Sequence, residues 1–272
     1  AANNHAAHKA RGRWLAFLNN DAFPHPYWLE NLVQAAQNKL WYLFFSSRLI
    51  QANNPTLLES TGDILHTSAS AWHRDHNKKI QHKPATADQV FSPCAAAGFY
   101  DRASFLAAGG FDPDYFSHHE DVDLGFRLRL AGLRCLYVPG AQAAHIGSAS
   151  FGGEGYTTIY QTQRNMVWTY FKNMPGGYLW RYLPAHILAN CFFLLHYTLN
   201  GHAKAVWKAK LDAMRGIPKM LKKRKTIQSQ RKIKGSELVK VLDHSLAGPY
   251  LLGSSGKKIK QFVKNFGCNR SN

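Results

Sequence analysis

Short apolar runs alternate with helical patterns over the first part of the chain. The run WLAFL at residues 14–18 predicts a buried strand, which ends at the Asn-Asn-Asp of residues 19–21. After Pro26, apolar residues recur at helical spacing, and β-forming residues fill positions 41–50. The order strand, acidic loop, helix and strand is typical of an α/β domain.

The pattern of residues 94–138 continues this alternation. The predicted elements are a small apolar stretch at 94–100, a short helix at 102–108, a helix opened by the acid-rich segment 119–123, and a strand at 133–138. Acidic side chains favour the positive end of a helix. Gly109-Gly110 is expected to end the short helix, and Pro139-Gly140 is expected to stop the strand before His145.

Residues 53–88 are polar and rich in histidine, which predicts a loop that forms a hairpin or flap. The spacing of its histidines matches no zinc site. We therefore expect a solvated loop rather than a second metal site. The histidines are His66, His73, His76 and His82.

The sequence changes character after residue 150. A helix is predicted at 158–172, followed by an apolar stretch at 183–199 that is shorter than the roughly 20 residues needed to span a bilayer. Residues 204–234 carry many Lys and Arg among apolar residues at helical spacing, as in a basic amphipathic helix. We predict a catalytic domain at 1–172 and a helical, membrane-associating tail at 173–272.

Charge and composition support this division. The chain has 272 residues, is 45% hydrophobic and can bury a full core, which excludes a disordered or fibrous protein. Of its net charge of +18, residues 1–150 contribute +1, from 13 Lys and Arg against 12 Asp and Glu, and the remainder contributes +17. The four cysteines form no CxxC pair, so a reducing compartment is the simpler interpretation.

Three positions are candidates for chemistry. Asp21 follows an apolar strand, where α/β sheets bind ligands, and a carboxylate suits a hard divalent cation; a turn residue is the alternative. Glu120, Asp121 and Asp123 cluster on one helical turn, where burial and mutual repulsion would raise a pKa toward that of a useful base; an acidic helix cap is the alternative. His145 could be a ligand or a structural residue.

Together these segments resemble the inverting family 2 glycosyltransferases of the GT-A fold, especially bacterial rhamnosyltransferase-like members that build cell-surface polysaccharide. The order and spacing of the matching residues agree over roughly residues 3–165. These residues are NHAAHKARGRWLAFLNND at 4–21, Gly98-Phe99, Gly109-Gly110-Phe111-Asp112, Phe116, Glu120-Asp121-Val122-Asp123, Arg127, Pro139, Ala141 and His145.

The resemblance implies a role for each matching residue. It implies a Rossmann-like GT-A domain in which Asn19, Asn20 and Asp21 occupy the DxD-type donor motif. Asp21 and His145 would hold a divalent cation, Mg²⁺ or Mn²⁺, at the donor diphosphate. Asp121, paired with Glu120, would deprotonate the acceptor hydroxyl for a single in-line displacement with inversion. The positions given as acceptor-binding or structural are Gly98, Asp123 and Arg127.

The resemblance also implies partners and a location. These are a nucleotide-sugar donor, a glycan or lipid-linked acceptor and an anionic membrane surface, with the protein cytoplasmic and peripheral on the inner face of the membrane. Family members begin with strands that bind the nucleotide, and these do not precede Ala1. We therefore expect a domain lacking its first strands, with weak donor binding and no activity of this piece alone.

Other functions are compatible with parts of the sequence. The basic tail, with Trp207, also suits a nucleic-acid-binding protein, because such proteins bind phosphates electrostatically. However, the near-neutral first 150 residues contain no nucleic-acid-binding motif, which makes this partner the weaker hypothesis. A nucleotidyltransferase or metal-dependent hydrolase would favour additional clustered acids. A noncatalytic fragment is the remaining alternative.

Overall fold

The computed structural model describes residues 2–80, 86–147, 155–246 and 248–251. Within these ranges the strands are β1 (Trp14–Leu18), β2 (Ala22–Pro24), β3 (Phe44–Gln51), β4 (Leu58–Ser60), β5 (Asp63–Leu65), β6 (Ala71–His73), β7 (Gln89–Val90), β8 (Ala97–Asp101) and β9 (Cys135–His145). The helices are α1 (Ala2–Lys9), α2 (Trp28–Asn38), α3 (Arg102–Ala107), α4 (Glu120–Leu130), α5 (Tyr156–Asn173), α6 (Gly176–Tyr197), α7 (Ala203–Ser229), α8 (Gly235–Val239) and α9 (Gly248–Leu251).

A mixed sheet forms the centre of the N-terminal part. Its strand order is β1-β8-β3-β9-β2, with β4 pairing to β3 and β7 pairing to β9. The β3–β9 pair is parallel and the other pairs are antiparallel. A separate hairpin joins β5 to β6.

Helices cover both faces of this sheet, because neighbouring strand residues point to opposite sides. Phe45 of β3 packs in a cluster with Trp28 and Leu32 of α2. Its neighbour Phe44 packs on the other face, in a cluster that includes Leu124 of α4. The layers helix, sheet and helix confirm the predicted α/β class.

Strand β9 is longer than the sequence pattern predicts. The predicted stop at Pro139-Gly140 is wrong, since β9 continues to His145. The register against β3 shifts between Ser47 and Arg48, whose partners are Val138 and Gln142, so residues 139–141 form a bulge. A bulge accommodates a proline that cannot donate to the ladder.

The histidine-rich segment is also more ordered than a solvated loop. The hairpin prediction is confirmed by β5 and β6, but the prediction of solvation is wrong for His66, which is 6% exposed. His73 lies at the end of β6 and hydrogen-bonds Asp63 of β5. His82 lies outside the described residues.

The C-terminal helices pack against the N-terminal part and against each other. Buried residues of α4, α5 and α6 share one hydrophobic cluster with Leu238 of α8. The ammonium of Lys210 on α7 donates to Gln163 of α5 and Asn190 of α6. Across the part of the chain that the structure describes, none of the helices combines the length and apolar character that a membrane crossing requires.

A buried ionic network joins α4 to α5. The Asp123 carboxylate accepts from Arg127 at 2.7 Å, from Lys172 at 2.8 Å and from Asn173 at 2.7 Å. Burial opposes ionisation of Asp123, but the charges of Arg127 and Lys172 hold its pKa well below the usual range. Lys172 also contacts Asp112 at 2.6 Å, so one cation connects three segments of the chain.

We expect Asp123→Asn to lower the free energy of unfolding by about 3 kcal/mol, because it leaves buried cations without their counter-charge. The matched control is Asp88→Asn, which removes a carboxylate that is 51% exposed and pairs with Arg74. That change should cost less than about 1 kcal/mol. Chemical denaturation measures both values, and equal losses for the two variants would contradict the prediction.

Candidate active site

One cavity of about 790 Å³ lies beside the sheet and is enclosed by the C-terminal helices. Its walls come from the β1–β2 turn, the β5–β6 hairpin, the segment before β8, the N-terminal turn of α4, and α5 and α6. The lining side chains include Asn19, Asn20, Asp21, Glu59, Asp63, Trp72, His73, Ser117, His119, Glu120, Asp121, His145, Thr158, Met166 and Phe193. The predicted donor-side and base residues thus line one space.

Asp21 and His145 meet at the edge of the sheet. Strand β2 pairs with the end of β9 so that Ala22 lies opposite His145, which places Asp21 beside the imidazole. His145 Nε2 is 3.2 Å from Asp21 Oδ1. On its other side, His145 Nδ1 lies 2.8 Å and 2.9 Å from the two carboxylate oxygens of Glu59 in β4.

This arrangement fits a divalent cation. If Nδ1–H donates to Glu59, the Nε2 lone pair of His145 faces the Asp21 carboxylate, and a carboxylate behind a ligating histidine is the usual support of such a ligand. A separation of 3.2 Å suits two neighbouring ligands, each about 2 Å from one ion. Among the described residues, no cluster of three or more His, Cys, Asp or Glu has metal-binding geometry.

Without a cation, a proton takes its place. Burial opposes a charge on His145, but the hydrogen bond to Glu59 and the charges of Glu59 and Asp21 together raise its pKa. The two carboxylates therefore favour positive charge at this point, whether it is carried by a proton or by a metal ion.

Asp121 lies in the first turn of α4 and lines the same cavity. Its carboxylate accepts the backbone N–H groups of Ala95 at 2.9 Å and Val122 at 2.7 Å. Burial, and then the charge of Asp63, raise the pKa of Asp121 above the ordinary Asp range. Burial and the charge of Asp121 likewise raise the pKa of Glu120.

The backbone segment that precedes α4 and Asp121 is strained, and a side chain of α5 stabilises it by hydrogen bonds. Its residues with left-handed backbone conformation are Phe116 (φ 65°), His118 (φ 60°) and His119 (φ 65°). The buried amide of Asn165 donates to the carbonyls of Tyr115, Ser117 and His118 at 2.7 to 3.0 Å. Such conformations persist only where their surroundings hold them, and Asn165 provides that support.

His73 adds a cation to the cavity. Its Nδ1 lies 2.9 Å from Asp63 Oδ1, and the second oxygen of Asp63 accepts from Ser92 at 3.1 Å. Burial opposes the charge of His73, but the hydrogen bond and negative charge of Asp63 raise its pKa. His73 is therefore an imidazolium at neutral pH.

The remaining predicted residues lie away from the cavity. Gly98 is in β8, where a Cβ atom would come within 2.8 Å of the Tyr100 ring. Asp123 is fully buried, and Arg127 donates to it and to the carbonyl of Gly110. Their contacts fit the structural alternative rather than acceptor binding.

Sequence reasoning missed Glu59, Asp63, His73 and Asn165. Glu59 lies 86 residues from His145 in the chain, so no local pattern connects them. His73 lies in the polar, histidine-rich segment that was predicted to be a solvated hairpin or flap, and only the pairing with Asp63 shows its environment. Asn165 lies within a predicted helix and carries no signal of its carbonyl contacts.

Comparison with known proteins finds a similar family over the N-terminal part of the chain. Residues 1–103 match the model of glycosyl transferase family 2. The rhamnosyltransferase WbbL of Escherichia coli K12 is 43% identical over 68 residues, which are 25% of this chain and 26% of that protein. The N-acetylglucosaminyl-diphospho-decaprenol L-rhamnosyltransferase of Mycobacterium tuberculosis is 49% identical over 51 residues, 19% of this chain and 17% of that protein.

A longer match and two solved structures extend the comparison. The O-antigen biosynthesis protein RfbC of Myxococcus xanthus is 31% identical over 156 residues, 55% of this chain and 12% of that protein. GalNAc-T7 with UDP, GalNAc and Mn²⁺ has a TM-score of 0.46 at 17% identity, over 62% of this chain and 33% of that chain. The mannosyltransferase PcManGT of Pyrobaculum calidifontis with GDP-Man and Mn²⁺ has a TM-score of 0.43 at 15% identity, over 84% and 63%.

The matches span about a quarter or less of the length of the curated relatives. The family model and the mixed, helix-covered sheet agree with the predicted GT-A class. Residues 1–103 are thus similar to glycosyl transferase family 2, and the curated proteins that the chain resembles include rhamnosyltransferases and an O-antigen biosynthesis protein.

Proposed function

We propose that the chain is part of an inverting glycosyltransferase of cell-surface polysaccharide synthesis. It moves a sugar from a nucleoside diphosphate to a hydroxyl group of a glycan or lipid-linked acceptor. The observation that carries this proposal is the convergence of Asp21, His145 and Asp121 on one cavity in a family 2 chain. The M. tuberculosis relative is named for L-rhamnosyl transfer to a lipid diphosphate-linked sugar. We therefore propose the same two classes of substrate for this chain, an L-rhamnosyl donor and a lipid diphosphate-linked sugar as acceptor.

The Asp21 and His145 side chains form the donor end of the cavity. They would supply one carboxylate oxygen and one imidazole nitrogen to Mg²⁺ or Mn²⁺, and Glu59 fixes the orientation of the ring. A bound divalent cation would neutralise the charge that develops on the departing nucleotide diphosphate. Asn19 and Asn20 border this end and would contact the donor.

Asp121 acts as the base at the acceptor end. Its carboxylate, held by the N–H groups of Ala95 and Val122, removes the proton of the acceptor hydroxyl. The acceptor oxygen then forms a bond to the anomeric carbon while the bond from that carbon to the diphosphate oxygen breaks. A single displacement of this kind inverts the anomeric configuration. The raised pKa of Asp121 makes it a better base for a weakly acidic hydroxyl.

The C-terminal helices provide a membrane-facing surface in this proposal. On α7, Trp207, Leu211 and Met214 are each more than half exposed and lie on one stripe of the helix. Exposed lysines flank this stripe, including Lys204 and Lys208. An apolar stripe bordered by cations suits the headgroup region of an anionic leaflet. We therefore propose that the protein is peripheral on the inner, cytoplasmic face of the membrane, where it would meet lipid-linked acceptors.

Asp21→Asn should weaken Mn²⁺ binding at least about tenfold, because the charged oxygen ligand becomes a neutral amide. Electron paramagnetic resonance of free Mn²⁺ in a titration measures this affinity without a donor sugar. The control is Glu30→Gln, an exposed charge change on α2. Retention of wild-type affinity by Asp21→Asn would place the metal elsewhere.

In the complete glycosyltransferase of which we propose this chain is part, Asp121→Asn should lower nucleotide release from nucleotide-sugars by about 10²- to 10⁴-fold, the usual contribution of a general base. In the wild type, the rate should fall on acidification, since only the ionised carboxylate accepts a proton. The raised pKa puts this fall above the ordinary Asp value of about 3.9.

The control for the base is Asp88→Asn, whose carboxylate pairs with Arg74 outside the cavity. It should keep both the rate and the pH profile of the wild type. A substantial rate in Asp121→Asn with an unchanged acidic limb would show that another group accepts the proton.

The double variant Trp207→Ser/Leu211→Ser should bind phosphatidylglycerol vesicles at least about tenfold more weakly, since it removes two exposed apolar side chains that would be buried in the bilayer. Vesicle co-sedimentation measures the change. Trp41→Ser is the control, because Trp41 is 84% exposed and lies before β3, remote in sequence from α7. Equal losses in both variants would argue against this surface.

A further inference from the structure

A second pocket, of about 350 Å³, lies where α6 begins and α7 ends. The residues that line it are Gly176, Arg224, Lys225, Gln228 and Arg231. None of them lines the cavity that Asp21 and Asp121 share. The second pocket is therefore separate from the proposed active site, and its charged side chains are all cationic.

The basic side chains lie on one side of α7 and just beyond its end. Arg224, Gln228 and Arg231 follow one another at intervals of four and three residues, the spacing of side chains on one helical face. Arg224 donates to two backbone carbonyls at the end of α5, and Arg231 donates to Gln228 at 3.5 Å. Arg224 and Arg231 are half-buried and Lys225 is exposed, so a ligand from solvent can reach all three.

The cations of this pocket lack an acidic partner. Across the described ranges, none of Arg224, Lys225 and Arg231 forms an ion pair with a carboxylate, although other basic residues of α7 do. Burial, and then the positive charge of Arg231, lower the pKa of Arg224, so the two guanidinium groups repel each other. Half-buried like charges without a counter-charge raise the free energy of the folded chain. An anion in the pocket would remove this repulsion.

The N-terminus of α6 adds hydrogen-bond donors at the same place. No side chain caps this 22-residue helix, and its first turn contains no acid. The first N–H groups of a helix have no partner within the helix and carry its partial positive charge. Gly176 and Gly177 are exposed, and a Cβ atom on either would meet no other part of the chain within 4 Å, so a ligand can approach this backbone closely. The helix end and the three cations thus favour the same negatively charged ligand.

A phosphate group fits these donors better than a carboxylate does. Arginine pairs with phosphate through two parallel N–H···O bonds. The oxygens of phosphate point in tetrahedral directions, so the cations on one side and the helix N–H groups on the other can bind different oxygens. The two oxygens of a carboxylate lie in one plane and serve fewer donors at once.

We propose that Arg224, Lys225, Arg231 and the N-terminus of α6 form a binding site for one phosphate group. A phospholipid headgroup and a soluble phosphate share this chemistry. Trp180 of α6 is 71% exposed, and an exposed tryptophan beside cations is typical of a membrane interface, which favours the headgroup. The site shares no residue with the active-site cavity and requires no divalent cation, so it is independent of the proposed transferase function.

Calorimetric titration of the full chain with inorganic phosphate, without added metal, tests the site. Arg231→Gln should weaken binding at least about tenfold, as expected for the loss of a hydrogen bond between charged groups. Lys222→Gln is the matched control, because it removes one charge from an exposed residue of α7 outside the pocket. It should retain wild-type affinity, as should Asp21→Asn. No saturable binding, equal affinities of wild type and Arg231→Gln, or a loss of affinity in Asp21→Asn overturns the proposal.

Thermal unfolding separates a local loss of binding from a loss of the fold. Arg231→Gln should melt no lower than the wild type, because it removes a charge that repels Arg224. Phosphate should raise the melting temperature of the wild type more than chloride at equal ionic strength does, but not that of Arg231→Gln. If Arg231→Gln does not fold, Lys225→Gln decides, because it changes an exposed side chain. An unchanged phosphate affinity in Lys225→Gln would then overturn the proposal, and a weaker one supports it.

Phosphatidylglycerol vesicles identify the source of the phosphate. If a headgroup occupies the pocket, Arg231→Gln should co-sediment more weakly than Lys222→Gln, and inorganic phosphate should release the wild type at a lower ionic strength than chloride does. Equal co-sedimentation of the two variants, with Arg231-dependent binding of inorganic phosphate, supports the site and assigns it to soluble phosphate. Binding of a single-stranded oligonucleotide that depends on Arg231 but not on Lys222, and that phosphate fails to displace, overturns the proposal in favour of a nucleic-acid surface.

Discussion

The charge of Lys172 is the constraint on which the rest of the structure depends. This ammonium is 2% exposed and lies between the carboxylates of Asp112 and Asp123. Asp112 follows α3, Asp123 belongs to α4 and Lys172 belongs to α5, so three segments meet at one buried charge. Lys223 of α7 also contacts Asp112 at 2.6 Å and adds a fourth segment. Because buried charges require partners, none of these segments can move away without leaving an unpaired ion.

The cavity follows from this constraint. Anchoring α5 against α4 brings Asn165 to the carbonyls of the strained segment before α4. That segment ends at Glu120 and Asp121, and the opposite side of the cavity is formed by α5 and α6. The helices after residue 155 therefore complete the space that the sheet begins. Part of the excess positive charge of the tail contributes to this packing, since Lys219 and Lys223 form ion pairs with an acidic residue, Asp114, that precedes α4.

The sequence predicted those parts of the site that depend on local patterns. An apolar run followed by Asp21 marked a strand end, and consecutive acids marked the N-terminus of α4 with Asp121 in its first turn. Glu59 and His73 could not be predicted in this way, because their environments arise from chain crossings that short-range spacing does not record. The full length of β9 was missed because Pro139 normally interrupts a strand, and only its pairing with β3 reveals the bulge.

The antiparallel pairing of β2 with β9 has a consequence for tolerance to insertions and deletions. Ala22 pairs with His145, Phe23 with Ala144 and Pro24 with Ala143, so the backbone ladder sets where the imidazole lies. Side chains alternate between the faces of a strand, and a shift by one residue would turn His145 away from Asp21 and Glu59. The bulge at residues 139–141 absorbs the extra length that keeps this alignment. A gain or loss of one residue there would shift the strand end by one position, and so replace the His145 side chain at this edge with the apolar side chain of a neighbouring residue.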